Sequence, residues 1–127
     1  MSDSSKPPGR PPALQPLTVL DRAHVAWVVP GRVWRGVGMH APFEDVGGVA
    51  ELLPQVRGHE RWMIVHVESG LGFGVIRGPM TGAWKVLCQV AQAANWERPQ
   101  AEVTRDEACR RVFRALRDYP RWDEVVL

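Results

Sequence analysis

The chain has 127 residues, which suggests one domain that is large enough to bury a hydrophobic core. Hydrophobic residues make up 45% and charged residues 24% of the sequence, the balance of an ordinary globular protein. The net charge of +2 is too small to indicate a polyanionic partner. The sequence contains no run of about 18 apolar residues, so it predicts no membrane-spanning helix. The N-terminus lacks the apolar segment of a secretory signal, so we expect a cytoplasmic location.

The two cysteines, Cys88 and Cys109, are too few for a disulfide framework and lack the spacing of a zinc site. Each lies among apolar neighbours on a predicted helix. Because a free cysteine behaves as a small buried hydrophobe, we expect both to be reduced core residues.

Residues 1–17 predict a disordered, proline-rich tail. Their composition favours an extended polyproline II conformation and offers little to bury. The segment from Pro8 to Pro11 has the PxxP spacing that proline-binding modules recognise, although a solvated tail is the simpler interpretation. We therefore place a single α+β domain at residues 18–127.

The next segment allows two interpretations. Thr18 and Asp21 form a capping box that would start a helical turn. Residues 24–29 are rich in β-branched and aromatic side chains, and the Pro30-Gly31 pair that follows suits a type II turn. We predict a hairpin of strands 24–29 and 32–38, with room for one helical turn before it.

Residues 43–56 carry apolar side chains at helical spacing, namely Val46, Val49, Ala50, Leu53 and Val56. This spacing predicts a short helix. Gly47 and Gly48 weaken it, and Pro54 kinks or ends it.

The most strand-like stretch of the chain is Arg61 to Gly78, which predicts two strands joined by a tight Ser69-Gly70 turn. In the first strand, one face carries Met63, Val65 and Val67, and the other carries Trp62, Ile64, His66 and Glu68. The second face changes from apolar to polar along the strand. It needs a cover, which either the chain's own helices or a partner can provide.

Two helices are predicted after this hairpin. Residues 82–95, with Thr81 as N-cap, have one narrow polar stripe and should form the central packing helix. Thr104 and Glu107 form a capping box for a last helix at 105–118. The element order ββα-ββα-α predicts an α+β fold, in which an antiparallel sheet of about four strands in two hairpins has helices packed on one face.

Few residues suggest catalysis or cofactor binding. His66 and Glu68 share a strand face and could form an acid–base couple or supply two metal ligands, with His24 and His40 converging on them in space. The sequence places no third ligand by spacing and contains no HExxH or CxxC motif. The glycines after Ser69 lead into a strand rather than a helix, which argues against a phosphate loop. We predict no cofactor and no metal, and an enzyme or metal site at His66 and Glu68 is the least favoured hypothesis.

The last helix carries an arginine stripe, formed by Arg110, Arg114 and Arg117, with Arg121 beyond it. Such a stripe can follow a nucleic-acid backbone, helped here by Lys6 and Arg10 in the tail. However, acidic residues lie at i,i+4 spacing from the arginines of this helix, and such opposite-charge pairs are typical of an ordinary solvated helix face. Nucleic-acid binding is therefore the alternative hypothesis.

The leading hypothesis is a small, non-catalytic cytoplasmic protein that binds another protein. Six tryptophans support it, since tryptophan is enriched at interface hot spots. A regulatory, accessory or inhibitor-type bacterial protein, including one encoded on a mobile element, fits the size and composition. The predicted protein-binding residues are Trp34, Trp62, Ile64, His66 and Glu68.

Overall fold

The computed structural model describes residues 10–118, which form seven β-strands and three α-helices. The strands are β1 (Gln15–Leu20), β2 (Ala26–Trp34), β3 (Val37–His40), β4 (Phe43–Val46), β5 (Val49–Leu52), β6 (Arg61–His66) and β7 (Gly72–Arg77). The helices are α1 (Met80–Ala93), α2 (Gln100–Arg105) and α3 (Glu107–Asp118).

The main sheet has five antiparallel strands in the order β1-β2-β3-β6-β7, and β4 and β5 pair separately as a two-stranded sheet. The helices pack against one face of the main sheet. The predicted α+β fold, with an antiparallel sheet and helices on one face, is confirmed. The strands number seven rather than about four.

The central hairpin is confirmed. Its strands, β6 and β7, pair in antiparallel fashion, but the tight Ser69-Gly70 turn is wrong: residues 67–71 connect the strands, and the register shifts between Ile64 and Val65. In the connection, the Gly70 amide donates to the His66 carbonyl at 2.8 Å, and Gly70 has a φ of +75°, a conformation that favours glycine.

The first predicted hairpin has the wrong turn. Pro30-Gly31 lies inside β2, which pairs with β1 over its first part and with β3 from Arg32 onward. The chain reverses at Arg35-Gly36 instead, where φ is +51° and +84°. Two positive φ values are the signature of a type I′ turn, which matches the twist of the strands better than a type II turn does.

The predicted helix over 43–56 is also wrong. Residues 43–52 form the β4–β5 hairpin, with a turn at Gly47-Gly48, where φ is +61° and +87°. The Gly48 amide donates to Asp45 Oδ1 at 2.8 Å. Two adjacent glycines favour a tight hairpin turn and destabilise the interior of a helix. The chain therefore forms a hairpin here, although the spacing of the valines also fits a helix.

Strand β1 begins inside the segment predicted as a disordered tail. Leu17 is buried, so residues 15–17 belong to the sheet, whereas residues 1–9 lie outside the described part of the chain. The predicted capping box does not start a helix. The Asp21 carboxylate instead accepts hydrogen bonds from the Trp27 indole at 2.9 Å and from the Ala23 and Val25 amides at 2.8 and 2.9 Å. These bonds lower the pKa of the carboxyl, and the bond from Trp27 has the largest effect.

The helical region is confirmed, but both predicted caps are wrong. Helix α1 follows Pro79 without a side-chain cap, so Thr81 is not its N-cap. The helix predicted at 105–118 corresponds to α3, whereas α2, which precedes it across Asp106, is not predicted by the sequence. The Asp106 carboxylate caps α3 by accepting from the Cys109 amide at 3.3 Å, whereas the Thr104 hydroxyl donates to the Ala101 carbonyl.

Two hydrophobic cores lie on opposite faces of the main sheet. The larger one, between the sheet and the helices, includes Ile64, Ile76, Leu87, Trp96, Val112 and Leu116. The smaller one consists of Leu17, Val19, Val29 and Val65. Leu17 and Val19 of β1 pack with Val65 of β6, so β1 lies over this second face and the sheet is curled. The Leu20 amide donates to the Gly70 carbonyl at 2.8 Å, which holds β1 against the β6–β7 connection.

Candidate binding site

The predicted protein-binding surface is covered by the chain's own helices. Ile64 and His66 are 0% and 3% exposed, and Trp62 is half-buried, with its indole donating to the Gly78 carbonyl at 2.9 Å. Trp34 is half-buried against the same core, so only Glu68 is exposed. The prediction that these residues form an open surface is therefore wrong, because the helices provide the cover that this face needed.

His66 connects the β6–β7 turn to the segment after α1. Its Nε2 donates to the Trp96 carbonyl at 2.8 Å, because a carbonyl can only accept. Its Nδ1 then accepts from the Ser69 hydroxyl, also at 2.8 Å, and Ser69 Oγ accepts from the Leu71 amide at 3.2 Å. Both ring nitrogens are occupied by protein groups, so His66 offers no lone pair to a metal or substrate.

Residues 10–118 contain no group of three His, Cys, Asp or Glu side chains that could hold a metal ion. Cys88 and Cys109 are buried and free, as expected for core cysteines. Burial raises the pKa of each thiol to about 11, which keeps it protonated and unreactive at neutral pH.

The arginine stripe lies on the exposed side of α3. Arg110, Arg114 and Arg117 are all exposed, as the helical spacing requires. Arg114 pairs with Glu107 at 2.8 Å, so part of the stripe is compensated within the helix. Of the other residues assigned to nucleic-acid binding, Arg10 is exposed, and Lys6 and Arg121 lie outside the described residues.

A different surface, which the sequence does not reveal, is apolar and open. Strands β1 and β2 turn one face outward, and the strand register places on it Pro16, Thr18, Leu20, Ala26, Val28 and Pro30. None of these side chains is charged. Val28 is 63% exposed, where an ordinary solvated strand face would carry polar or charged residues.

This face continues toward the β4–β5 hairpin. Leu14, which is 56% exposed, lines one shallow depression with Pro30 and Leu52, and Leu52 is itself 40% exposed. Leu14 also lines a second depression with Pro16 and Val28. We call these five residues, Leu14, Pro16, Val28, Pro30 and Leu52, the apolar patch.

Beyond Leu52, the hairpin is acidic. Glu44 lies directly opposite Glu51 in the register, and both are exposed. Like charges in opposed positions destabilise a strand pair. Asp45 adds a third exposed carboxylate, so the hairpin is acidic, although alternation places Glu44 and Glu51 on its face opposite to Leu52 of the apolar patch.

The free edge of β1 is poorly suited to pairing with a further strand. Pro16 lies opposite Pro30, and neither has an amide hydrogen, so the two residues form a pair without ladder hydrogen bonds. In such a pair the backbone groups of Pro16 point away from β2, toward the free edge. The Leu20 amide already donates to Gly70. A proline on an edge strand is a common means of blocking strand addition. A partner would therefore contact the face of this hairpin rather than its edge.

A cleft of about 640 Å³ lies on the face of the main sheet that the helices leave free. Its apolar lining includes Val19, Leu20, Phe43, Met63, Val65, Leu71 and Val75. His40 lines it too and is only 5% exposed, while His24 is exposed at the β1–β2 loop beside it. The two histidines thus meet at one cleft, but not with His66, which lies on the helix side.

Comparison of the chain with protein-family models, with curated proteins and with solved structures found no match. Within residues 10–118, no helix combines the length and apolar character that a membrane crossing requires. The longest, α1, has 14 residues.

Proposed function

We propose that this protein acts by binding another protein through the apolar patch, without catalysing a reaction. The observation that carries the proposal is the uncharged outer face of β1 and β2, with Val28 and Leu14 more than half exposed. Large contiguous apolar patches are rare on monomeric proteins, and they often mark interaction sites. A regulatory or accessory role in the cytoplasm belongs to the same proposal.

The chemistry of the patch describes the partner. The centre of the partner's surface should be apolar, because it meets Val28 and Pro30.

The experiment is site-specific photo-crosslinking in the protein's own host. A photoreactive amino acid replaces Thr18, which lies opposite Val28 in the patch. The matched control replaces Val56, an exposed residue of the loop after β5. We expect a discrete adduct with a second protein from position 18 that is absent from position 56 and resists nuclease. Equal labelling from both positions, or none from position 18, contradicts the proposal.

Nucleic-acid binding through α3 is the alternative function, supported by the exposure of Arg110, Arg114 and Arg117 on one helix side. Fluorescence anisotropy with labelled DNA and RNA oligonucleotides tests it. If the stripe follows a phosphate backbone, affinity falls steeply as salt rises, and Arg110→Glu weakens binding to all sequences alike. A weak affinity with no salt dependence eliminates this alternative.

A further inference from the structure

We propose that the cleft beside His40 binds a small, mainly apolar molecule that carries one hydrogen-bond donor, which His40 Nε2 accepts. This site lies on the face of the sheet opposite the helices, and none of the five residues of the apolar patch lines it. His40 also lines the depression that Leu14, Pro30 and Leu52 form, so the two sites adjoin at this residue. The inference does not require the proposed protein partner.

The cleft has the size and lining of a ligand site. Its volume of about 640 Å³ falls within the range of roughly 300–1,000 Å³ that is typical of small-molecule pockets. Met63, Val65 and Val75 form an apolar floor on β6 and β7, and Phe43 adds an aromatic ring at one side. This lining favours a mainly apolar molecule.

The position of His40 gives the cleft its one buried polar group. In the strand register His40 lies opposite Met63, so both side chains project from the same face of the sheet. The His40 ring also lies 5.7 Å from the Phe43 ring, centroid to centroid. An imidazole is therefore held among the apolar groups that line the cleft.

The hydrogen bonds of His40 determine which ligand group it can meet. Its Nδ1 donates to the Ala41 carbonyl at 2.7 Å, so Nε2 of the neutral ring is an acceptor. Burial lowers the pKa of His40, which favours that neutral form. No donor from residues 10–118 forms a hydrogen bond with His40 Nε2. Nor is this atom buried without a partner: within the same residues, Trp84 Nε1 is the only side-chain nitrogen or oxygen in that state. His40 Nε2 is therefore neither sealed nor bonded within these residues, and our proposal places a ligand N–H or O–H from the cleft against it.

The polar groups at the rim do not indicate a metal ion or a cationic ligand. The Asp21 carboxylate is already occupied by two backbone amides and the Trp27 indole. Arg22 and His24 are exposed at the mouth of the cleft. A single neutral imidazole facing an apolar floor suits one donor on an otherwise apolar molecule.

The test compares indole with benzofuran, two bicyclic molecules of similar shape of which only indole carries an N–H donor. Binding is followed by NMR through the Met63 methyl and the His40 ring protons of the full-length protein. We expect saturable shifts at both residues with indole and at least about tenfold weaker binding of benzofuran, or about 1.4 kcal/mol. In His40→Phe, the two probes should bind equally.

Two further variants keep the test decisive. Met63→Trp fills the floor of the cleft and should abolish the indole shifts at His40, even if His40→Phe fails to fold. Val28→Lys changes the apolar patch and should leave indole binding unchanged. Equal affinities of the two probes for the wild-type protein would overturn the role of His40. No saturable shift at Met63 with indole would overturn the site itself, whatever the outcome for the apolar patch.

Discussion

The two faces of the main sheet each carry one buried histidine, and the two histidines differ in their partners. On the helix side, His66 uses both ring nitrogens, one to Trp96 and one to Ser69. On the opposite side, His40 uses one nitrogen, to Ala41. The first histidine fastens two segments of the chain, whereas the second leaves an acceptor at an open cleft.

This difference extends to the surroundings of each histidine. The helix side is covered by α1 and α3, and Gly74 lets α3 approach β7 so closely that an added Cβ would lie 2.9 Å from Leu116 Cδ1. The opposite side is covered by the β1–β2 hairpin, with Phe43 and Ala50 of the β4–β5 hairpin packed against the same core. The outer face of β1 and β2 is apolar and exposed. Stability should therefore depend mainly on the helix side, and binding on the other side.

The largest loss of stability is expected from Trp96→Ala. Trp96 is 1% exposed, stacks on Phe73 at 4.9 Å between ring centroids, and donates from its indole to the Val90 carbonyl at 2.7 Å. Removing a buried tryptophan costs about 3–5 kcal/mol of unfolding free energy. Urea denaturation measures it. A loss below about 1 kcal/mol, the usual scale for a surface substitution, would contradict the assignment of this core.

Replacing the two histidines distinguishes the two faces more directly. His66→Ala leaves two polar groups without their partner, so it should cost about 1–3 kcal/mol for each buried group left unsatisfied. His40→Ala removes one hydrogen bond beside an open cleft, where water can replace it, and should cost less. The same denaturation experiment compares them, and an equal or greater loss for His40→Ala would show that the faces do not differ in this way.

The turn of the β4–β5 hairpin gives a smaller effect. Gly48 has a φ of +87°, and the space around its Cβ position is empty, so Gly48→Ala introduces backbone strain without a clash. A non-glycine residue in the left-handed region costs about 1–2 kcal/mol. Gly72→Ala is the control, because that strand glycine has no positive φ. If the two variants were equally stable, the turn conformation assigned to Gly48 would be wrong.

The smallest effect is a dependence of stability on pH. Burial lowers the pKa of His40, so the unfolded chain binds its proton more readily than the folded chain. Unfolding free energy should therefore fall as the pH drops below about 6.5, the ordinary histidine value. The carboxyls of Asp21, Asp106 and Glu107 have lowered pKa values, so they change the unfolding free energy only at a more acidic pH than His40 does.

Denaturation between pH 5 and 7 isolates the histidine contribution. The slope of unfolding free energy against pH should decrease in His40→Gln, which cannot titrate. A slope that stays the same in this variant would assign it to other groups.

Local patterns in the sequence predict the central hairpin and α1. The side chains from Arg61 to Val67 alternate without interruption, and α1 has one narrow polar stripe. The β4–β5 hairpin is harder, because Val46 and Val49 are three residues apart, a spacing that fits a helix face as well as a strand pair across two glycines. The Gly47-Gly48 pair is the signal that decides between them.

The candidate site depends on contacts that the sequence does not contain. His66 is buried because its partner Trp96 lies 30 residues away. The apolar patch exists because Pro16 pairs with Pro30, whereas each proline by itself suggests a tail or a turn. Once that register is known, the uncharged outer face follows from alternation along the two strands.

The central claim is that the free face of β1 and β2 is the binding surface, and two matched valines test it. Val28 lies in the apolar patch and is 63% exposed, while Val56 lies outside it and is 62% exposed. Both lysine variants should unfold within about 0.5 kcal/mol of the wild type. The affinity for the protein crosslinked at position 18 should fall at least about tenfold, or 1.4 kcal/mol, in Val28→Lys and stay unchanged in Val56→Lys. Equal affinities of the two variants would contradict the claim.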